Sequence, residues 1–219
     1  SSVLAWWGYV SALSMLLTAL LAPALGAAAD RAGRRKAALL SATALGVAAS
    51  AAMALPAPGQ WIWGLGLFVL GSLGFSFNNV FYDAFLPHLA GPEERAGLSS
   101  AGYALGYLGG GVLLVADVAL VALGGEWGFR LSFLSVALWW GGFTWPFLRH
   151  VAEPPPSPPE PGETWGVAAY GRPWRTLLGL REQPDLLWFL GAFWLYNDGI
   201  GTIMRMGVLY GSSLGLGQG

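Results

Sequence analysis

Six apolar runs, each close to the length of a membrane-crossing helix, constrain this chain more than any other feature of it. They lie at about 3 to 26, 37 to 55, 61 to 83, 98 to 124, 129 to 148 and 186 to 209. About 20 apolar residues, at a helical rise of ~1.5 Å each, cross the ~30 Å hydrocarbon layer of a bilayer. A strand reading fails, because the runs are too long, lack two-residue alternation, and would leave an open sheet edge unsatisfied in lipid. Composition points the same way. Hydrophobic residues make up 55% of the chain and charged residues 11%, against about 25% charge in an ordinary soluble domain, and the mean hydropathy is +0.54. The sequence therefore predicts an all-α, polytopic membrane helical bundle with the lipid bilayer as its main partner.

The separators between the runs set the orientation. DRAGRRK at 30–36 carries Arg31, Arg34, Arg35 and Lys36, GPEERAG at 91–97 carries Arg95, and the stretch 150–185 carries Arg172, Arg175 and Arg181 with Arg149 beside it. PAPGQ at 56–60 and GGEWG at 124–128 contain no Lys or Arg. The positive-inside bias places the first, third and fifth separators in the cytoplasm. The Ser1 end is then external, and at least one further helix is expected before it. Neither a basic region nor a small-residue cleavage signature marks a secretory signal peptide.

Other classes recede. A net charge of −1 suggests neither a nucleic-acid partner nor an acidic tail. Without cysteine, these residues hold no disulfide framework, thiol nucleophile or thiolate metal site. His88 and His150 stand alone, are read as surface or interfacial residues, and are assigned no metal. Neither a nucleotide-binding GxxxxGK pattern nor a nucleophile constellation is present, which disfavours an ATP-driven pump and a membrane hydrolase. No enzyme activity and no cofactor are expected.

Three regions follow. Residues 1–149 form a first transmembrane bundle, 150–185 a cytoplasmic Pro-rich linker, and 186–219 the start of a second bundle. EPPPSPPEPGE at 153–163 favours extended polyproline geometry. After it, Trp174, Leu177, Leu178 and Leu180 alternate with Arg172, Arg175 and Arg181, which suits a short amphipathic helix on the membrane surface and an irregular loop about equally.

The most specific stretch is GAAADRAGRRK at 26–36. Gly26 is expected to permit close helix contact, Gly33 a turn conformation disfavoured for other residues, and the charges a network that forms in one conformation and breaks in another. A short cytoplasmic loop is also basic simply to set topology. The spacing, however, resembles the signature loop of the major facilitator superfamily, G-x-x-x-D-R-x-G-R-R-K, with every fixed position present. Further stretches, NNVFYDAFLPHLA at 78–90, LSSAGYALGYLGGG at 98–111 and FWLYNDGIGTI at 193–203, are similar to its vacuole-effluxer branch, which includes autophagy-associated vacuolar amino-acid exporters and bacterial relatives. Asp83 stands where many members carry Asn.

The resemblance implies a partial major facilitator fold in which the six runs are helices two to seven of twelve, with helices one and eight to twelve belonging to the same protein. It implies that Gly26, Asp30, Arg31, Gly33, Arg34 and Arg35 control alternating access. The function implied is secondary active transport of a small polar solute, amino acids among the candidates, with protons as a coupling ion, in a bacterial cytoplasmic (inner) membrane. The alternative is a polytopic scaffold or receptor that keeps the fold without transport.

Several polar residues inside the runs are candidates for substrate or proton binding. Asn78 and Asn79 sit one turn inside Asp83; binding and interhelical hydrogen bonding are equally plausible for them. Asp83 is expected to pair with the basic loop and so to take part in gating. Gly102, Gly106 and Gly110 form a small-residue ridge suited to close helix packing. Tyr103, Tyr107 and Asp117 share the same run, and Tyr103 and Asp117 lie near four turns apart on a similar face; for Asp117 an interfacial role competes with binding. Tyr196, Asn197 and Asp198 fall about 18 Å into the last run, where a carboxylate must be paired, protonated or wetted. Gly199 and Gly201 are expected to permit a local bend there.

Overall fold

The computed structural model describes residues 2–156, 164 and 166–213. Its helices are α1 (Ser2–Ala32), α2 (Arg35–Ala52), α3 (Trp61–Asp83), α4 (Leu86–Leu89), α5 (Arg95–His150), α6 (Arg172–Gly179) and α7 (Pro184–Ser213), with a π-helical turn at Val167–Gly171 and a 3-10 turn at Leu180–Glu182. No strand occurs among the described residues. Three segments there, Ala5–Ala32, Trp61–Leu89 and Arg95–His150, are long and apolar enough to cross a membrane.

The 56-residue α5 is two helices in a hairpin. Gly125 has φ 53° and ψ −125°, a conformation open to glycine because it lacks a Cβ. The chain reverses there, and the Ser135 hydroxyl on the return leg donates to the Asp117 carboxylate. A methyl group at Gly128 would strike the Leu120 carbonyl. The fourth and fifth apolar runs are thus the legs of this hairpin, joined by a sharper corner than the five-residue GGEWG separator suggested.

Glycine shapes two other corners. At Gly33, φ is 59°, and the Arg34 N–H donates back to the Ala29 carbonyl at 3.1 Å. That closes α1 and starts α2 within two residues, as the DRAGRRK pattern predicts. Gly59, at φ 91°, turns the chain into α3, and the Ala57 N–H donates to Gln60 Oε1 at 3.0 Å.

The close crossing is that of α2 with α3. A Cβ on Gly74 would lie 2.5 Å from the Gly46 nitrogen, and one on Gly46 would lie 2.1 Å from the Trp140 ring. Small residues let backbones approach, and dispersion then replaces the hydrophobic drive that lipid cannot supply. At the end of this crossing Phe77, Phe81 and Phe85 line one side of the chain and pack with Leu39, Ala42 and Ala29; Phe85 is fully buried. Phe147, from the return leg of α5, meets Phe85 edge-on at 5.1 Å.

The expected close helix contacts of glycine need correcting. A Cβ on Gly26 would meet nothing within 4 Å, and the same holds for Gly102, Gly106 and Gly110. The tight contact falls at Gly46 and Gly74 instead, because α2 and α3 are the helices that cross closely. At Gly199 and Gly201 α7 runs on as a continuous helix; glycine permits a bend without forcing one.

The separators sort to two ends. Arg35 reaches His88 and Glu153 at one end, while Arg130, beside the hairpin corner, donates to the Ala54 carbonyl at the other at 3.3 Å. The basic first, third and fifth separators therefore share a side, as their charges predicted. Within the linker, 157–163 lies outside the described residues. Its later part is helical, with Ala168 and Ala169 buried and the Tyr170 hydroxyl donating to the Leu20 carbonyl of α1 at 2.8 Å.

Candidate functional site

Three polar constellations stand out, and the first is built on Arg35. The two-residue link at Gly33 and Arg34 brings Arg35 back beside the end of α1, where its Nε donates to Asp30 Oδ1 at 2.5 Å. Its Nη1 lies 2.8 Å from His88 Nε2. Arginine has only donors, so this ring nitrogen accepts and the His88 proton sits on Nδ1. The Arg35 residue is 6% exposed, a burial tolerable for a guanidinium only with such partners.

Glu153, the first residue of the Pro-rich stretch, completes the cluster. The Arg35 N–H donates to its Oε1 at 2.7 Å and the Lys36 N–H to its Oε2 at 3.0 Å. A carboxylate at a helix N-terminus satisfies amides that have no intrahelical acceptor and sits at the positive end of the helix dipole. The Lys36 ammonium donates to the Leu148 carbonyl at 2.8 Å. Pro156 packs against Gly33, where an added Cβ would lie 3.1 Å from the proline Cβ. The ends of α1, α2 and α4 and the chain leaving α5 are thereby joined at one point.

Asp83 is not part of this cluster. It is exposed, and the ion pair of Arg35 with a described acid is to Asp30. The expected pairing of Asp83 with the basic loop is corrected on that ground: α3 ends at Asp83, and α4 then presents His88, one turn later, to Arg35. Sequence reasoning missed both His88 and Glu153. An acid three residues beyond His150 at the boundary of the linker was the only available signal for the second.

The second constellation is a cleft of about 670 Å³ between α2, α3 and both legs of α5. Asn78, Asn79, Tyr82, Gly106, Gly110, Trp139, Trp140, Phe143 and Thr144 are among its lining residues. Asn78 Nδ2 donates to the buried Thr43 hydroxyl of α2 at 2.5 Å, so the interhelical role that competed with binding is realised. Asn79 is exposed on the α3 wall. Tyr103 and Tyr107 are 63% and 71% exposed and lie outside this lining. Asp117, held by Ser135 across the hairpin, is likewise elsewhere.

The third is a smaller cleft of about 260 Å³ where α1 meets α7. Its walls are Gly8, Ser11, Ala12 and Met15 from α1 and Asn197, Asp198, Gly201 and Thr202 from α7. Tyr196 is exposed and not in it. The side chain of Arg205, two turns beyond Asp198 in α7, lies outside the described residues.

Comparison with known proteins fits this architecture. The sequence profile of the family described as "Vacuole effluxer Atg22 like" matches residues 2–217. An uncharacterized MFS-type transporter, YxiO, of Bacillus subtilis is 36% identical over 223 residues, covering 98% of this chain and 51% of its own length. Autophagy-related protein 22 of Yarrowia lipolytica is 33% identical over 149 residues, covering 57% of this chain and 24% of its own. The corresponding protein of Coccidioides immitis is 32% identical over 125 residues, 52% of this chain and 21% of its own. No solved structure matches. The chain spans about half the length of the Bacillus relative. It belongs to the vacuole effluxer Atg22-like family and is an integral membrane protein.

Proposed function

We propose that this family member is part of a secondary active transporter that moves a small polar solute, such as an amino acid, by alternating access between two helical bundles. The observation that supports this reading best is the Arg35 cluster. Its bonds to Asp30 and His88, and the Glu153 carboxylate on the same helix end, join four chain segments by contacts that must break if those segments separate. A polar cluster that assembles in one conformation and parts in another is a two-state element, which alternating access requires. Gly26, Arg31 and Arg34 belong to the same loop, and Asp30, Gly33 and Arg35 carry its described geometry. The basic end is the cytoplasmic one, in a bacterial inner membrane.

Two clefts within the apolar segments offer binding surface. The larger one supplies Asn78 and Asn79; the smaller one supplies Asn197 and Asp198. Ligand sites of this kind are mostly apolar with a few convergent polar groups. The test is flux of a broad solute panel into proteoliposomes holding the purified full-length protein, with and without a pH gradient. Flux of at least one solute supports transport, and a response to the gradient supports proton coupling. No flux across the panel sinks the reading in favour of a scaffold or receptor.

A further inference from the structure

The cleft between α1 and α7 carries more than a lone intramembrane acid. Ser11 lies about 12 Å from the start of the first apolar run and Asp198 about 18 Å from the start of the last, so both sit well inside a ~30 Å hydrocarbon layer. Around the cleft stand one carboxylate (Asp198), one side-chain amide (Asn197) and two hydroxyls (Ser11 and Thr202). Thr202 follows Asp198 by four residues and therefore shares its helix face. Among the described residues, none of these four side chains makes a hydrogen bond. Gly8, Ala12 and Gly201 are small and Met15 completes the wall, so the oxygens stay accessible from within the cleft.

The neighbouring polar residues of α1 behave differently. The Ser14 hydroxyl donates to the Val10 carbonyl at 3.0 Å and Thr18 to the Ser14 carbonyl at 2.8 Å, the usual way a helix absorbs a hydroxyl in lipid. Ser11, a turn earlier and facing the cleft, is left over. Unsatisfied polar groups at this depth are costly, and a small cation would satisfy all four at once. A carboxylate supplies the compensating charge, and hydroxyl and amide oxygens suit a hard cation or the three donors of an ammonium group. A proton alone would neutralise Asp198 and leave the two hydroxyls and the amide without a partner.

We propose that Ser11, Asn197, Asp198 and Thr202 form a binding site for a small monovalent cation, either Na⁺ or the primary ammonium group of a solute. The site rests on the transport reading for its purpose, but its existence is a matter of binding alone. Because it takes oxygens from both the first and the seventh described helices, an occupied site links α1 to α7. Cation occupancy is thereby coupled to the approach of the two bundles.

The experiment follows the thermal unfolding midpoint of the purified full-length protein in detergent. NaCl is titrated against choline chloride at constant ionic strength, and methylammonium is titrated in choline buffer. A saturable rise with Na⁺ assigns the metal ion, and one with methylammonium assigns the ammonium group. The rise should vanish in Asp198→Asn, and the half-saturating concentration should increase roughly tenfold in Ser11→Ala and in Thr202→Val. No rise with either cation, or a rise that survives Asp198→Asn, overturns the site. Flux that persists in the absence of any cation effect would leave the transport reading standing and remove only this site; cation binding without flux would do the reverse.

Discussion

The Arg35 cluster and the Asp198 cleft both place charge in a protein that is largely apolar, yet they are built in opposite ways. At Arg35 the guanidinium meets Asp30 and His88, and the adjacent amides meet Glu153. At Asp198 a carboxylate shares a 260 Å³ cleft with three neutral polar side chains, none hydrogen-bonded to a described residue. A satisfied constellation contributes to the fold that contains it, whereas an unsatisfied one costs the fold and is retained where something else binds. The contrast teaches that the first region should be sensitive in stability and the second in ligand response.

That contrast can be broken by one assay, the unfolding midpoint of the full-length protein and its variants. The largest effect is expected for Arg35→Ala, about 3 kcal/mol, because a buried guanidinium is lost together with its bonds to Asp30 and His88. A change within error would mean that the cluster is ornamental. Gly74→Ala should cost about 2 kcal/mol, since the new methyl meets the α2 backbone rather than a flexible side chain; an unshifted midpoint would deny the close α2–α3 crossing. Glu153→Ala should cost about 1 kcal/mol as a lost N-terminal cap, and Glu153→Gln, which keeps one acceptor, should cost less. Equal costs would point to packing of the side chain rather than to its carboxylate.

Asp198→Asn should have a small effect on stability and the sharpest one on response. Its midpoint in choline buffer should stay level or rise, because a carboxylate with no partner among the described residues is replaced by a neutral amide. A clear fall would place Asp198 with Arg35 among the structural polar groups and erase the difference between the two regions. Asp83→Ala, at an exposed carboxylate outside the cluster, should leave the midpoint unchanged. A loss there comparable to that of Arg35→Ala would restore the pairing that the structure replaces with His88.

Much of the fold was legible without coordinates. Runs of about twenty apolar residues demand helices, and the alternation of basic and non-basic separators sorted the corners to two ends. Asp30, Gly33 and Arg35 were readable because a short link between antiparallel helices imposes local rules. Asn78 was left between two roles, and only the position of Thr43 on the facing helix decided for the hydrogen bond. His88 was set aside because a single histidine has no pattern around it. Tyr103 and Tyr107 are exposed on the first leg of α5, and helical spacing puts residues on a shared face without saying which face meets another helix.

The sequence by itself determined the solvent, the helical class, the sorting of the corners to two ends and the turn at the signature loop, because each follows from hydropathy, charge or backbone sterics over a few neighbouring residues. Only the tertiary structure decided that Glu153 caps α2 from a distance of 117 or 118 residues along the chain, that Gly46 and Gly74 mark the tight crossing, and that Ser11 and Asp198 line one cleft. Those are meetings between remote segments. Lipid leaves them to shape and polar matching, and neither is written in any one stretch of chain.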